Sequence, residues 1–128
     1  MEIHLFRIIL ILISLFSTLF SQTSGKISGK IIDASTEAPL VGANIIIVQT
    51  QAGISADVDG YFNLINVSPG KYSIKAMMIG YETVKVENVV VSVNRTTSLD
   101  IKMNQTIVEG KEVVIYASKL SRKKDQTS

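Results

Sequence analysis

The sequence has no cysteine, no tryptophan, two prolines and a single histidine, His4. The absence of cysteine excludes a disulfide framework, a thiolate nucleophile and a Cys-bearing zinc site. It also excludes a lipid anchor on an N-terminal cysteine. His4 lies in an apolar N-terminal stretch, and no histidine follows it. Downstream of that stretch, the usual general base at neutral pH and the commonest nucleophile–base pairs are missing. An enzyme would have to rely on paired carboxylates, a lysine of lowered pKa or a bound metal. Aromatics are scarce as well, and three of the four phenylalanines (Phe6, Phe16 and Phe20) fall in the first 20 residues.

The apolar residues are unevenly placed. Residues 8–20 form a run interrupted only by Ser14, Ser17 and Thr18. A spanning helix needs about 20 apolar residues. A signal-peptide core runs about 7–15 and ends at small residues. Residues 1–21 are therefore expected to be an export signal, cut between Ser21 and Gln22 or after Ser24. An uncleaved anchor is the competing reading, and both carry the rest of the chain out of the cytoplasm. The charge is uneven too. Residues 22–110 carry a net charge of −1. Residues 111–128 carry +3, from Lys111, Lys119, Arg122, Lys123 and Lys124 against Glu112 and Asp125. Nucleic-acid binding needs a basic face with base readers on a fold. A basic polar tail does not supply one, so no nucleic-acid partner is expected.

From Lys26 onward, polar and apolar residues alternate. The alternation holds in 26–31, 61–65, 72–78, 83–87 and 98–103; 43–48 is nearly continuously apolar, and 112–116 is a final apolar run. β-Branched residues dominate these segments. Turn signals fall at 33–42, 57–60, 68–70, 80–81 and 94–95. The spacing predicts an all-β antiparallel sandwich or barrel of about seven strands. The expected core is Ile27, Ile31, Ala43, Ile45, Ile47, Phe62, Leu64, Tyr72, Ile74, Ala76, Val84, Val86, Leu99 and Ile101.

Chemical motifs mostly fail. Residues 55–60 resemble half of a calcium loop, but Ser55 stands first and Asn66 stands where a bidentate Glu is required. A hairpin turn closed by Asp57, Asp59 and Gly60 explains them better. The glycines of 25–29 are spaced wrongly for a phosphate loop. Two Ser-x-x-Lys matches, at 68–71 and 121–124, lack the companion motifs of acyl-enzyme proteins. Sequons at Asn66, Asn94 and Asn104 matter only in a eukaryotic secretory pathway. No cofactor, metal or catalytic residue is expected.

The ordered segments G-K-I-I-D at 29–33, A-P-L-V-G-A-N at 38–44, D-V-D-G-Y-F at 57–62, V-S-P-G-K-Y at 67–72 and I-G-Y at 79–81 resemble the carboxypeptidase-regulatory-like domain. That resemblance implies a transthyretin-like (prealbumin-like) Greek-key sandwich over residues 22–104, followed by an extension at 105–128. It makes Pro39, Gly42, Asp57, Asp59, Gly60, Pro69, Gly70 and Gly80 structural turn residues. The segment E-G-K-E-V-V-I-Y-A-S at 109–118, after such a domain, resembles the N-terminal extension of TonB-dependent outer-membrane receptors. The implied partner is a receptor or a TonB-type energy-coupling protein, in the periplasm or at the outer membrane of a Gram-negative bacterium. A chain of 128 residues cannot hold the plug and barrel, so the resemblance implies an N-terminal piece or a stand-alone relative. Val113, Val114, Ile115 and Tyr116 either add as a strand to a partner sheet or form the last strand of the sandwich. The first functional expectation is thus a non-enzymatic exported interaction module. The alternative is a carbohydrate- or surface-binding domain using Tyr61, Tyr81 and Tyr116. A relative of the transthyretin-like hydroxyisourate hydrolases is disfavoured, because that chemistry leans on His and Arg.

Overall fold

The computed structural model describes residues 1–16 and 23–117. The expected cut between Ser21 and Gln22 and the basic residues beyond Lys111 lie outside them. Helix α1 (Glu2–Phe16) has 15 residues, and the side chains of residues 2–15 are exposed and contribute nothing to the buried core. At 1.5 Å per residue it is about 22 Å long, against about 30 Å of membrane hydrocarbon. Among the described residues no helix is long and apolar enough to cross a membrane.

The rest is a two-sheet sandwich of nine strands: β1 (Gly25–Asp33), β2 (Asn44–Ile47), β3 (Gly53–Ser55), β4 (Tyr61–Val67), β5 (Gly70–Met77), β6 (Thr83–Val91), β7 (Thr96–Ser98), β8 (Ile101–Met103) and β9 (Glu112–Tyr116). In the first sheet β1 is central, with β4 on one side and β7 then β8 along the other. The second sheet runs β3-β2-β5-β6-β9. The all-β sandwich matches the sequence pattern. The strand count is higher because β3, only three residues long, escapes the pattern and because β7 and β8 share one rail. A purely antiparallel arrangement does not hold: β7 and β8 run parallel to β1, and β9 runs parallel to β6. The reason is two crossovers at opposite ends of the sandwich. At one end β6 finishes beside the start of β1, where Asn94 N–H donates to Ser24 O (3.0 Å) and Lys26 N–H to Arg95 O (3.1 Å). At the other, the chain after β8 returns beside the start of β6, where Thr83 N–H donates to Lys111 O (2.8 Å).

The expected core residues are all buried except Tyr72. Tyr72 is half-buried because its hydroxyl reaches the Ser68 carbonyl (2.7 Å) in the turn before β5, as a phenol at a core margin requires. Three buried residues escaped the alternation: Val67, Val89 and Val91. Each follows an asparagine of positive φ, Asn66 (56°) or Asn88 (61°). The ladder slips by one residue at both places, as at a β-bulge, where an extra residue reverses which side chains face inward. Phe62 and Leu64 point inward before the first bulge and Val67 after it. Val84 and Val86 precede the second, Val89 and Val91 follow it.

The tightest approach of backbone to a glycine is at Gly29. Between β7 and β8 the chain folds over β1, with Leu99 N–H donating to Ser28 O (2.8 Å) and the Asp100 carboxylate accepting from Lys30 N–H (3.0 Å). A Cβ on Gly29 would lie 1.8 Å from the Leu99 carbonyl oxygen. Gly29→Ala is therefore expected to lose at least about 1–3 kcal/mol of stability, the scale of overpacking. Asn88→Gly should be nearly neutral and Asn88→Val should lose about 1–2 kcal/mol, the left-handed backbone penalty. Denaturant titration measures all three; an unchanged midpoint in Gly29→Ala would contradict the packing described.

Candidate functional site

The site is built from Asp33 outward. Asp33 ends β1 and is buried. Its Oδ1 accepts from the N–H groups of Ser35 (2.7 Å) and Thr36 (3.0 Å), the local turn that Asp favours. Its Oδ2 accepts from the Tyr81 hydroxyl (2.7 Å) and the Gln105 amide (2.9 Å). Four donors aimed at one carboxylate favour its ionised form. The Tyr81 hydroxyl, then Thr36 N–H, Gln105 and Ser35 N–H, hold Asp33 well below the usual carboxylate range. The same contact pushes the Tyr81 phenol above its ordinary 10.0.

This carboxylate clamps the lead-in to β9. Tyr81 and Gln105 form a bridge, Glu82 N–H donates to Asn104 O (2.8 Å), and Thr106 N–H donates to Gly80 O (2.9 Å). Residues 104–106 are thus fixed against the β5–β6 turn, and β9 follows in register, from Thr83 opposite Glu112 to Glu87 opposite Tyr116. Val113 and Ile115 are half-buried, while Val114 and Tyr116 are exposed. Charge supports the register. Lys75 lies opposite Lys85 across β5 and β6, and Glu112 meets Lys75 (3.2 Å) while Glu87 meets Lys85 (3.3 Å). Lys111 meets the buried Glu82 (2.9 Å). The exposed pairs stabilise by at most about 1 kcal/mol each, but a shifted β9 would leave the two lysines facing without Glu112. β9 is the last strand of its sheet, so its far edge has no strand partner among the described residues. Beside its start, Met77, Met78, Ile79, Ile107 and Val108 line an open depression of ≈ 680 Å³.

The turn residues serve the fold and do not converge on one site. Asp57 accepts from Asp59 N–H and Tyr61 N–H (both 2.9 Å), which makes 57–60 a hairpin turn and not a calcium loop. Gly60 takes φ 79° against Pro39. Pro39 bridges Ile32, and Gly42 N–H donates to Ala56 O (3.0 Å). Pro69 precedes β5, which Gly70 opens. Gly80 alone of the set touches the lead-in to β9, through its carbonyl. The three-tyrosine platform does not form. The Tyr81 hydroxyl is bound to Asp33, and Tyr61 and Tyr116 belong to different sheets. Asp33 and Gln105 were not singled out by sequence. Their partners lie 48 and 72 residues apart, and only the D of G-K-I-I-D and the Y of I-G-Y hinted at them. The extension expected at 105–128 is in part sandwich, because β9 pairs with β6.

A family model, the CarboxypepD_reg-like domain, matches residues 27–115. The chain belongs to this family. The CarboxypepD_reg-like match runs through Ile115, so it takes in the lead-in and most of β9. Two similar solved chains come from type II cohesin–X-dockerin complexes of Acetivibrio cellulolyticus, altered at one interface or the other. One is 28% identical with a TM-score of 0.56, over 70% of this chain and 64% of that one. The second is 30% identical with a TM-score of 0.51, over 62% and 56%. The minor pilin of Streptococcus agalactiae shares the fold at 14% identity and a TM-score of 0.50, over 67% and 46%. The shared region thus spans less than two thirds of each of those chains. No curated protein matches the chain.

The CarboxypepD_reg-like sandwich should lose stability in acid through Asp33. A carboxylate depressed on folding stabilises the fold above its unfolded value, about 3.9, and that stabilisation fades as pH falls below it. Asp33→Asn should lower the melting temperature at pH 7 and flatten the decline below pH ~4. Tyr81→Phe should lose about 1 kcal/mol. Melting curves between pH 2 and 8, roughly the range over which carboxylates titrate, measure both. A wild-type-like acid limb in Asp33→Asn would remove Asp33 from this role.

Proposed function

We propose that the chain is an exported, non-enzymatic interaction module, the N-terminal accessory domain of a TonB-dependent outer-membrane receptor. It works at the periplasmic side of the outer membrane of a Gram-negative bacterium. The observation that carries this reading is the placement of β9. The E-V-V-I-Y segment is held by β6 on one side and presents its other edge outward, with Val114 and Tyr116 exposed. An open edge with paired-strand geometry accepts an extended strand from a protein partner, main chain to main chain. The partner is the receptor polypeptide or a TonB-type energy-coupling protein. Three further observations support it. The side chains described in helix α1, residues 2–15, stay out of the sandwich core, as those of an export signal would. The buried Asp33 and Glu82 are engaged in holding the fold. Similar solved chains belong to cohesin–X-dockerin complexes, which are protein–protein assemblies.

Expressed with its own N-terminus in a Gram-negative host, the protein should reach the envelope fraction with a new N-terminus at Gln22 or Gly25. Retention of the full chain in the cytoplasm would overturn export. A photo-cross-linking side chain at Val114 should then trap a TonB-dependent receptor or a TonB-type protein. Adducts with neither, export being intact, would overturn edge docking.

A further inference from the structure

The outer face of the first sheet has a character different from the β9 edge. Registered pairs share a face of a sheet. Asn63 lies opposite Ser28, and Ser28 opposite Ser98, so three neutral polar side chains form one row across β4, β1 and β7. None of the three side chains makes a hydrogen bond among the described residues. The neighbouring row starts with Tyr61 opposite Lys30, and Asp100 joins it by accepting the Lys30 N–H. Only one of the Asp100 carboxylate oxygens is engaged there. Tyr61 is 54% exposed, and the Lys30 ammonium sits 5.3 Å from its ring centroid. Ser28, Asn63 and Ser98, with Tyr61 and Asp100 of the second row, border an open depression of ≈ 370 Å³ that also meets Lys26.

We propose that this face is a saccharide-binding site with Tyr61 as its stacking ring. A pyranose offers an apolar C–H face ringed by hydroxyls. The complementary protein surface pairs an exposed aromatic ring with a few neutral donors and acceptors. Tyr61 supplies the ring, and the cation–π contact with Lys30 restrains it before any ligand arrives, which lowers the entropy lost on binding. Ser28, Asn63 and Ser98 supply donors and acceptors without partners among the described residues. Strands about 4.8 Å apart place this row across about 10 Å, the scale of a short stretch of sugar chain. Lys26 and Lys30 outnumber Asp100, which favours sugars bearing carboxylates. The face fits other macromolecules less well. A protein interface centres on buried apolar and aromatic residues, and single-stranded nucleic acid requires a basic groove with several stacking rings.

This site lies in the sheet opposite β9 and does not rest on the edge-docking reading. Its test is an NMR titration of the ¹⁵N-labelled full chain with two probes, a galacturonic acid hexamer and cellohexaose. Amide shifts are expected at Ser28, Lys30, Asn63 and Ser98, while Val114 and Tyr116 stay unchanged. A response to the acidic hexamer alone, or to both, supports the site, and a response to cellohexaose alone would overturn the preference for sugars bearing carboxylates. Tyr61→Ala should weaken binding by about tenfold or more, as loss of an aromatic anchor does, and Tyr61→Phe should retain it. Asn63→Ala serves as a second variant should Tyr61→Ala lower the melting temperature. No shift with either hexamer, or shifts confined to β9, would overturn the proposal. Unaltered affinity in a folded Tyr61→Ala would do so as well.

Discussion

One carboxylate ties the molecule together. Asp33 is the point where the end of β1, the β5–β6 turn and the chain leaving β8 meet. Its two oxygens take four donors from these three places. A buried charge is tolerated only when its hydrogen-bonding capacity is filled, so the three segments have to arrive together. The crossover back to the second sheet and the seating of β9 both follow from that requirement. No apolar side chain at this position could set the direction of the returning chain in the same way, because apolar contacts carry no direction.

The two faces of the sandwich are consequently separated in kind. The β9 edge is built by a crossover, supported by ion pairs and bordered by an apolar depression. It is suited to main-chain pairing with a protein. The outer face of the first sheet is a regular polar surface set by β1 and its neighbours, with Tyr61 as its aromatic member. A family relationship to the CarboxypepD_reg-like domain fixes neither use, since it describes the shared sandwich and function resides in sites placed on a fold.

Much of the architecture was legible from local pattern. Alternation identified the strands that hold Ile27, Ile31, Phe62, Leu64, Ile74, Ala76, Val84 and Val86 in the core. The Asp57–Gly60 turn was legible because an Asp side chain bonds backbone a few residues away, which is a local event. Alternation failed at Asn66 and Asn88 for a definite reason. A bulge inserts one residue, and period two then predicts the wrong face for everything beyond it. Val67 is therefore buried although the phase of Phe62 and Leu64 sends it outward, and Val89 and Val91 are buried although the phase of Val84 and Val86 does the same. An asparagine inside a strand pattern was the available signal, because it tolerates positive φ better than most residues.

The sequence by itself determined the division into an apolar N-terminal segment, a strand-rich body and a basic tail. It determined the all-β class, most of the core and the turns, because propensity, alternation and Asx hydrogen bonding act over a few residues. Only the tertiary structure decided that β7, β8 and β9 pair in parallel. Only it joined Asp33 to Tyr81 and Gln105, and only it separated Tyr61 from Tyr116. Those outcomes depend on which sheet a returning strand joins and on which donors, 48 and 72 residues away, can satisfy a carboxylate that the fold has removed from water.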